Sequence, residues 1–351
     1  MKIETKSFFD KIAAAFKVEL PFAVYRHPNT NSLKGFFQKD ATLHTTKTYE
    51  ESGFVFAPFD DNNPSILFPL TESTIYTTHF SDSYATDKTH KRQDSLSENS
   101  RLAHVELVQK GIDFLRTTDV EKVVLSRKEI IQYPDFDVIE IFQKLLLNYS
   151  NAMVYVWFHP NVGLWLGATP ETLLKVQNNQ YTTMALAGTQ PYQESLDVIW
   201  ENKEQQEQQF VTDYIVEKLG SHIEITAPQT IRAGSLVHLC TTISGMLSKE
   251  FTLSKIIKLL HPTPAVCGMP MTEAKGFILN NEEYNREFYT GFLGELRINN
   301  TSNLFVNLRC MQVLESILAL YIGGGITVDS IPEKEWEETV AKSKVMLKVL
   351  G

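Results

Sequence analysis

The feature that most constrains the fold is a series of short apolar runs that come in pairs, with turn-forming residues between the two members. Ala152–Phe158 and Val162–Leu166 are separated by a His-Pro-Asn turn, and Glu171–Val176 is separated from Tyr181–Leu186 by a turn that contains Asn-Asn. Pairs of this kind are typical of antiparallel hairpins. Because segments with helical periodicity interrupt the pairs at irregular intervals, the sequence predicts an α+β fold and not a doubly wound parallel sheet.

Six segments have the three- and four-residue spacing of apolar side chains that is typical of helices. They are Ser7–Phe16, Leu102–Leu115, Val138–Leu147, Ser195–Leu219, Leu253–Leu260 and Pro332–Leu350. The last has the best-marked start, because Ser330 can cap it and Glu333 can complete a capping box. One late strand is predicted over Leu304–Val313, and a polar surface loop is predicted over Ser81–Ser100.

The composition limits the partners that the chain can have. The 351 residues include 33 Lys and Arg against 42 Asp and Glu, a formal net charge of −9, which argues against a nucleic-acid partner. No apolar run approaches the roughly 18 residues that span a bilayer, and charges interrupt the segment where a signal peptide would be apolar. The 3 cysteines are widely spaced, as expected in a reducing compartment. We therefore expect a soluble cytoplasmic protein that binds neither nucleic acid nor membrane.

The candidates for catalysis or ligand binding are an arginine in an apolar run, the charged face of the last helix and a run of glycines. Arg309 interrupts an otherwise apolar run, and a buried arginine needs an anionic partner. Glu335, Glu338 and Lys342 share one face of the last helix, which usually marks a solvated surface, but carboxylates from two helices could instead hold Mg²⁺. The Gly323–Gly325 run favours a tight turn over a backbone nest that binds an anion. Spacing alone leaves these alternatives open.

Eight segments resemble, in order along the chain, the motifs of the chorismate-utilising enzymes, and within them those of the isochorismate synthases. They are KVVLSR (Lys122–Arg127), GATPE (Gly167–Glu171), LAGT (Leu186–Thr189), HPTPAVCG (His261–Gly268), FYTG (Phe288–Gly291), NLRC (Asn307–Cys310), GGGI (Gly323–Ile326) and SIPEKEWEETVAK (Ser330–Lys342). The resemblance runs from about Arg101 to the C-terminus, and residues 1–100 are divergent. We expect the divergent part to complete one chorismate-binding domain over residues 1–351.

The resemblance implies a single large α/β/β/α sandwich of antiparallel sheets with outer helices. It also implies an isomerase that converts chorismate to isochorismate with Mg²⁺ as its cofactor. In that reaction water adds at C2 of the ring while the C4 hydroxyl leaves and the double bonds shift. A monomer is the oligomeric state that the family suggests. The product could feed menaquinone or siderophore synthesis, and menaquinone is favoured on general prevalence alone.

The resemblance also implies roles for individual residues. Lys122 matches the general base, and Glu171 matches the general acid that protonates the departing hydroxyl. Glu207 and Glu338 match the magnesium ligands. The positions that match substrate-binding residues are Gly188, Thr189, His261, Tyr289, Arg309, Gly324, Gly325 and Lys342. For such an acid–base pair, the site must favour the neutral amine of the lysine and the protonated form of the carboxyl.

Two positions separate this chain from the aminating members of the family. Anthranilate and aminodeoxychorismate synthases carry glutamine where Lys122 stands, and some of the latter carry lysine in place of Ala187. Water is therefore the expected nucleophile, and no glutaminase subunit is expected.

Two alternatives to the isochorismate synthase function remain. Salicylate synthase keeps the lysine and goes on to eliminate pyruvate, but the HPTPAVCG loop is more similar to the isochorismate synthase version. A chorismate-binding homologue without catalytic activity is the non-enzyme alternative. It is disfavoured, because both the acid–base pair and both metal-ligand glutamates are present.

Overall fold

The computed structural model describes residues 1–81, 98–220, 222–233, 236–315 and 317–351. Most of the polar loop predicted at Ser81–Ser100 therefore lies outside the described residues. The helices are α1 (Thr5–Lys17), α2 (Glu98–Thr117), α3 (Val138–Asn148), α4 (Asn202–Leu219), α5 (Leu253–Leu260), α6 (Met271–Asn281) and α7 (Pro332–Leu350). The strands are β1 (Phe22–Arg26), β2 (Ser32–Gln38), β3 (Thr45–Thr46), β4 (Gly53–Ala57), β5 (Ser65–Pro69), β6 (Ser73–His79), β7 (Lys122–Gln132), β8 (Met153–His159), β9 (Gly163–Thr169), β10 (Thr172–Gln177), β11 (Gln180–Pro191), β12 (Ile223–Ile225), β13 (Gln229–Ala233), β14 (Leu236–Met246), β15 (Gly268–Met269), β16 (Phe292–Ile298), β17 (Thr301–Val306), β18 (Cys310–Leu314) and β19 (Ile317–Ile326).

Several helices begin where local capping or burial favours them. Asp137 caps α3, because its carboxylate accepts hydrogen bonds from the backbone N–H groups of Ile139 and Glu140 at 2.9 and 3.2 Å. α5 and α7 have the bounds that their periodicity predicts. The predicted capping box of α7 is wrong, because the helix starts too late for Ser330 to cap it and that hydroxyl donates to Glu335 Oε1 at 2.7 Å instead. No helix in the described ranges is long and apolar enough to cross a bilayer.

The helix predicted from Ser195 is wrong at its start. α4 begins only at Asn202, and the preceding residues are irregular. Leu196 and Ile199 are 50% and 91% exposed, so this segment has no apolar face that a helix could bury. The backbone carbonyl of Ile199 accepts instead from Gln190 Nε2 at 3.1 Å, which ties the loop to the end of β11.

Two antiparallel sheets form the centre of the molecule. Within the described residues, the first sheet has the order β15-β7-β19-β18-β9-β8-β1-β2-β6. The second sheet has the order β12-β14-β11-β10-β17-β16-β4-β5-β3, with β13 also paired to β14. Strands from the first 79 residues therefore enter both sheets, where they pair with strands from much later in the chain.

The layers follow from which side chains each sheet buries. Between the sheets lies a layer of large aromatic side chains, in which Phe68 and Trp157 stack at 5.2 Å. Apolar residues of α1, α3 and α7 pack on the outer face of the first sheet, and those of α4 and α5 pack on the second. Full burial of one such side chain is worth about 1.5–3 kcal/mol, which makes this arrangement stable. The predicted α/β/β/α sandwich is confirmed.

Two of the places where the chain passes from one sheet to the other are adjacent in space, from β9 to β10 and from β17 to β18. The single strand predicted over Leu304–Val313 is therefore wrong, because Val306 ends β17 in one sheet and Cys310 begins β18 in the other. Arg309 lies at the bend with a φ of 48°. A hydrogen bond from Ala168 N to Arg309 O at 3.1 Å joins the two crossings. The apolar run hides the break because residues on both sides of it are buried, although in different sheets.

Candidate active site

Lys122 begins β7 in the interior of the first sheet. β15 pairs with β7 on one side at Lys122, and β19 pairs with it on the other side. A Cβ atom at Gly325 of β19 would lie 2.6 Å from Lys122 Cε, so a larger residue there would displace the end of the lysine side chain. The tight turn expected at Gly323–Gly325 is wrong, because these residues continue β19 in register with β7.

The Lys122 side chain contacts a predicted metal ligand. Its Nζ donates to Glu207 Oε1 of α4 at 2.8 Å. The lysine side chain is 19% exposed and the glutamate is 42% exposed, so the pair stands at the border between protein and solvent. The structure therefore joins a base candidate from the first sheet to a carboxylate from a helix outside the second sheet.

Glu171 follows the crossing from β9 to β10. Its backbone carbonyl accepts from Val306 N at 2.9 Å, which fixes it beside the other crossing. Burial raises the pKa of Glu171 to about 7, against the opposing charges of Arg309 and Lys122. In the described part of the chain, no side chain donates a hydrogen bond to its carboxylate. The carboxyl can therefore exist in both protonation states near neutral pH.

Arg309 and Tyr289 supply polar groups beside Glu171. Burial lowers the pKa of Arg309, while Tyr149 and Glu171 act in the opposite direction. The Arg309 guanidinium has no hydrogen bond or ion pair to any described residue, so its charge is available to an anion. Tyr289 is buried, and its hydroxyl lies 2.9 Å from where a Cβ atom at Gly323 would be.

The α7 residues meet the glycine strand on its helix side. Glu335 Oε2 and Glu338 Oε1 lie 3.6 and 3.8 Å from the position of a Cβ atom at Gly324. Lys342 Nζ lies 2.6 Å from Glu338 Oε1 and donates to the carbonyl of Gly323 at 3.1 Å. The predicted metal ligand and the predicted substrate-binding lysine of α7 are therefore in contact with each other and with β19.

Gly188 sits at a β-bulge where the register of β11 shifts against β14. Its φ is 70°, a conformation that favours glycine, and its Cβ position would be 3.1 Å from Glu204 Cβ of α4. Thr189 follows in β11, and its side chain lies outside the described residues. The bulge therefore brings the start of α4 close to the site.

His261 is placed apart from the other predicted residues. Its Nε2 lies 2.9 Å from the carbonyl of Pro58, and its ring packs edge-on against Phe292 at 5.0 Å. Burial lowers its pKa to about 4, so the ring is neutral at neutral pH. No contact joins it to Lys122 or Glu171 in the described structure. Its predicted role in substrate binding stays a prediction.

Sequence reasoning missed His238 of β14. Its Nδ1 lies 3.0 Å from the carbonyl of Gly188. Burial lowers its pKa, the hydrogen bond to Gly188 raises it, and the charges of Arg309, Lys342 and Glu207 also act on it. His238 therefore lies among the site residues. Nothing local marks it, because it is one polar residue in a strand of ordinary β-forming residues.

Glu204 and Glu335 were also absent from the predicted metal ligands. Each stands three residues before a predicted ligand, Glu207 or Glu338, on the same helix face. For Glu335 this spacing is visible in the sequence but is equally typical of a solvated helix face, and for Glu204 the same spacing is the signal that could have identified it.

The chemistry of these carboxylates fits a hard cation. Glu204 Oε2 is buried and has no hydrogen-bond partner among the described residues, which suits an oxygen that ligates an ion. Mg²⁺ prefers carboxylate oxygens and retains room for substrate oxygens. Within the described ranges, no three His, Cys, Asp or Glu side chains are close enough together to hold one ion. The carboxylates of α4 and α7 are the side chains near Lys122 that could hold such an ion.

Comparison with known proteins identifies the family. The profile of the family described as chorismate binding enzyme matches residues 60–351. This chain belongs to that family. The chorismate-binding match starts before Arg101 and so includes part of the region whose sequence is divergent.

Several proteins with sequences similar to this chain are named for an enzymatic activity. Isochorismate synthase EntC of Escherichia coli is 30% identical over 315 residues, which cover 84% of this chain and 80% of the relative. Isochorismate synthase DhbC of Bacillus subtilis is 29% identical and covers 70% of this chain and 66% of its own length. Anthranilate synthase component 1 of Saccharolobus solfataricus is 27% identical over 74% of this chain and 63% of its own length.

Two solved structures share the fold. One is described as a 2,3-dihydroxybenzoate-specific isochorismate synthase, DhbC, from Bacillus anthracis; it has a TM-score of 0.79 at 24% identity and covers 98% of this chain and 99% of its own. The other is MenF, the menaquinone-specific isochorismate synthase from Escherichia coli, with a TM-score of 0.79 at 20% identity over 94% and 89% of the two chains. At these identities the likeness concerns the fold.

Proposed function

We propose that this chorismate-binding protein is an isochorismate synthase, an isomerase that moves a hydroxyl group around the chorismate ring. The family assignment supports chorismate as the substrate. The relatives named isochorismate synthase support the reaction. Lys122 favours this reaction over amination, because it can act as a base toward water, which the glutamine of the aminating relatives cannot do.

The observation that carries the proposal is that Glu171 is a buried carboxyl with a raised pKa on which the charge of Lys122 acts. The charge of Lys122 opposes the rise only in part, and the raised pKa of Glu171 leaves a proton available near neutral pH. In the proposed step, water oxygen bonds to C2 of the ring and gives its proton to Lys122 Nζ. The bond between C4 and its hydroxyl oxygen breaks, and Glu171 protonates that oxygen so that it leaves as water. The ring double bonds shift and no net water is consumed.

The other residues would hold the substrate while these protons move. Arg309 offers a cation that pairs with no described side chain, and chorismate carries carboxylates that such a cation can bind. Lys342 of α7 donates to the carbonyl of Gly323 in β19, the strand that pairs with β7, which carries the lysine base. We therefore assign the substrate carboxylates to this side of the site and the reacting ring to the space between Lys122 and Glu171.

We further propose Mg²⁺ as the cofactor, held by Glu207 and Glu338 with Glu204 and Glu335 beside them. A bound Mg²⁺ would offset the negative charge of the substrate and of the clustered carboxylates. In the Glu338→Gln variant the concentration of Mg²⁺ needed for half-maximal rate should rise. An unchanged Mg²⁺ titration of this variant would remove Glu338 from the ligand set.

The product is common to menaquinone and siderophore routes, and the relatives include enzymes named for each. We therefore propose isochorismate as the product, which either route could use. We also propose that the chain acts as a cytoplasmic monomer without a glutaminase subunit. Three unpaired, buried cysteines suit a reducing compartment. Light scattering of the purified protein would test the monomer.

Incubation of the purified protein with chorismate, with and without Mg²⁺, tests the function. Isochorismate formed only with Mg²⁺, and lost in the Lys122→Ala variant, would support the proposal. Salicylate and pyruvate as products would assign the chain to the lyase-competent members instead. Bound but unconverted chorismate would favour the non-catalytic alternative, and full activity of Lys122→Ala would remove the base assignment.

A further inference from the structure

α7 has two faces that serve different purposes. One face carries Glu338 and Lys342 toward the glycines of β19. The adjoining face carries Trp336 and Thr339 toward β7, where Thr339 is completely buried. Because both faces belong to one helix, any contact that fixes the buried face also fixes the carboxylates at the site.

Arg127 of β7 makes that buried contact. Its Nε donates to Thr339 Oγ1 at 2.7 Å, and its guanidinium lies 4.5 Å from the centre of the Trp336 ring. The Thr339 hydroxyl donates in turn to the carbonyl of Trp336 at 2.8 Å, so its lone pairs are left to accept from the arginine. One planar cation therefore fixes both the position and the rotation of α7 relative to β7.

Arg127 acts away from the substrate. Side chains alternate along a strand, so Arg127 points to the opposite face of β7 from Lys122. It is 6% exposed, and its Nη1 lies 2.9 Å from Glu129 Oε2. Burial lowers the pKa of the neighbouring His104 to about 4, so that side chain adds no charge at neutral pH.

Packing alone does not explain an arginine at this place. A buried ion pair such as that of Arg127 and Glu129 adds little net stability compared with well-packed apolar residues. An apolar side chain, however, could not reach the Thr339 hydroxyl with a directed hydrogen bond. The contact therefore contributes geometry more than free energy of folding.

We infer that Arg127 is a positioning residue, which fixes α7 on β7 so that the Glu335 and Glu338 carboxylates stand at a set distance from Lys122. β7 carries Lys122 at its start and Arg127 five residues on, and the helix carboxylates lie near Gly324 of β19, the strand that pairs with β7. This inference rests on the proposed function, since it assigns the α7 carboxylates to the cation that the reaction needs. It identifies a residue that acts through other side chains and does not touch the substrate.

A matched pair of Thr339 variants tests the inference with little change in shape. Thr339→Val is isosteric but removes the acceptor of the Arg127 hydrogen bond, whereas Thr339→Ser keeps it. The Mg²⁺ concentration for half-maximal isochorismate formation should rise on the order of tenfold in Thr339→Val, as when residues that orient metal ligands are removed. Thr339→Ser should stay close to wild type. The rate at saturating Mg²⁺ should change much less than the Mg²⁺ requirement.

Binding of Mn²⁺, measured by electron paramagnetic resonance without chorismate, gives a readout that does not depend on activity. Arg127→Met and Arg127→Lys should both weaken Mn²⁺ binding, because lysine lacks the planar fork that contacts Thr339 and Trp336 together. Arg127→Met combined with Thr339→Val should weaken binding no more than either single change, since both remove the same contact.

The inference is overturned if Thr339→Val binds Mn²⁺ and responds to Mg²⁺ as Thr339→Ser does, whatever its melting temperature. If Arg127→Met does not fold, as judged by circular dichroism, the Thr339 pair decides the question alone. Failure of the proposed function is a different result, because the wild-type protein would then make no isochorismate while the Mn²⁺ comparison could still be made.

Discussion

Two carboxylates lie between the sheets, and their surroundings differ. Glu171 belongs to the candidate active site, whereas Glu295 of β16 faces β1 and β2. Tyr25 OH and Lys34 Nζ donate to Glu295 Oε1 at 2.5 and 2.6 Å, and His27 Nε2 lies 3.4 Å from Oε2. Burial alone would raise the pKa of Glu295, but the hydrogen bond from His27, the charge and hydrogen bond of Lys34, and the Tyr25 hydroxyl hold it well below its usual range.

Glu171 is the opposite case. Burial raises its pKa to about 7, and the charges of Arg309 and Lys122 oppose that rise only in part. Glu295 is the less exposed of the two residues and yet has the lower pKa, so the number of donors aimed at each carboxylate decides the difference. A carboxylate with several donors is fixed as an anion that joins the sheets. One without side-chain donors can carry and release a proton.

The largest effect is expected from Glu171→Gln. The amide keeps the size of the side chain but cannot transfer a proton, so kcat should fall by about 10²–10⁴-fold. Glu295→Gln is the matched control and should keep kcat near wild type. Steady-state kinetics with chorismate would measure both. Comparable losses in the two variants would contradict the division of roles between the carboxylates.

The second prediction concerns the stability of the same two variants, for which we expect the opposite order of effects. Glu295→Gln leaves Lys34 without its anionic partner and should lower the free energy of unfolding by about 3 kcal/mol at neutral pH. Glu171→Gln removes a carboxyl with no such partners and should not destabilise the fold. Urea denaturation followed by circular dichroism would measure both variants. A Glu171→Gln protein as destabilised as Glu295→Gln would show that Glu171 also holds the sheets together.

The pH dependence follows from the two opposite shifts. The folded-state pKa of Glu171 is raised, so its contribution to stability is present at acid pH and is lost as pH rises through about 7. Activity that needs its proton should fall at pH above about 7, by about tenfold for each further pH unit. The pKa of Glu295 is lowered, so its contribution is present above its usual pKa and is lost only as pH falls toward strong acid.

A pH profile of kcat/KM for wild type and Glu295→Gln checks this sign. The alkaline fall in activity should be the same in both proteins, because Glu295 is already ionised throughout that window. A profile that is flat from neutral to alkaline pH would remove the proton-donor role of Glu171.

The smallest effect concerns one donor of the Glu295 cluster. Tyr25→Phe removes the hydrogen bond from the hydroxyl to a charged acceptor and should lower the free energy of unfolding by about 1.5 kcal/mol. The activity should not change, because Tyr25 lies among the Glu295 partners and not among the site residues. A clear decrease in kcat in the folded Tyr25→Phe protein would show that the Glu295 cluster also affects the candidate active site.

The sequence predicts the parts of the fold that depend on local patterns. The bounds of α5 and α7 follow from their periodicity, and the paired apolar runs predict hairpins that the structure contains. The break at Arg309 could not be predicted, because the residues on both sides of it are equally apolar. Whether a strand stays in one sheet or crosses to another is decided by partners that are distant in sequence.

The same limit applies to the polar residues. The motifs mark Lys122 and Glu171, and the structure brings their charges within reach of each other. The motifs did not mark His238, whose neighbours come from other elements. Glu295 meets Tyr25 across a separation of 270 residues, which no local pattern reveals. The roles of the predicted site residues stay predictions until the variants are measured.

The most direct test of the account is the conversion of chorismate in water labelled with heavy oxygen. We predict that the isochorismate formed carries the label in its new C2 hydroxyl, and that Glu171→Gln and Lys122→Ala form it at least about 10²-fold more slowly. Labelled isochorismate from wild type, with this loss of rate in both variants, would establish water as the nucleophile and this acid–base pair as the means of its addition. Isochorismate without the label, or labelled product at the wild-type rate from either variant, would contradict the account.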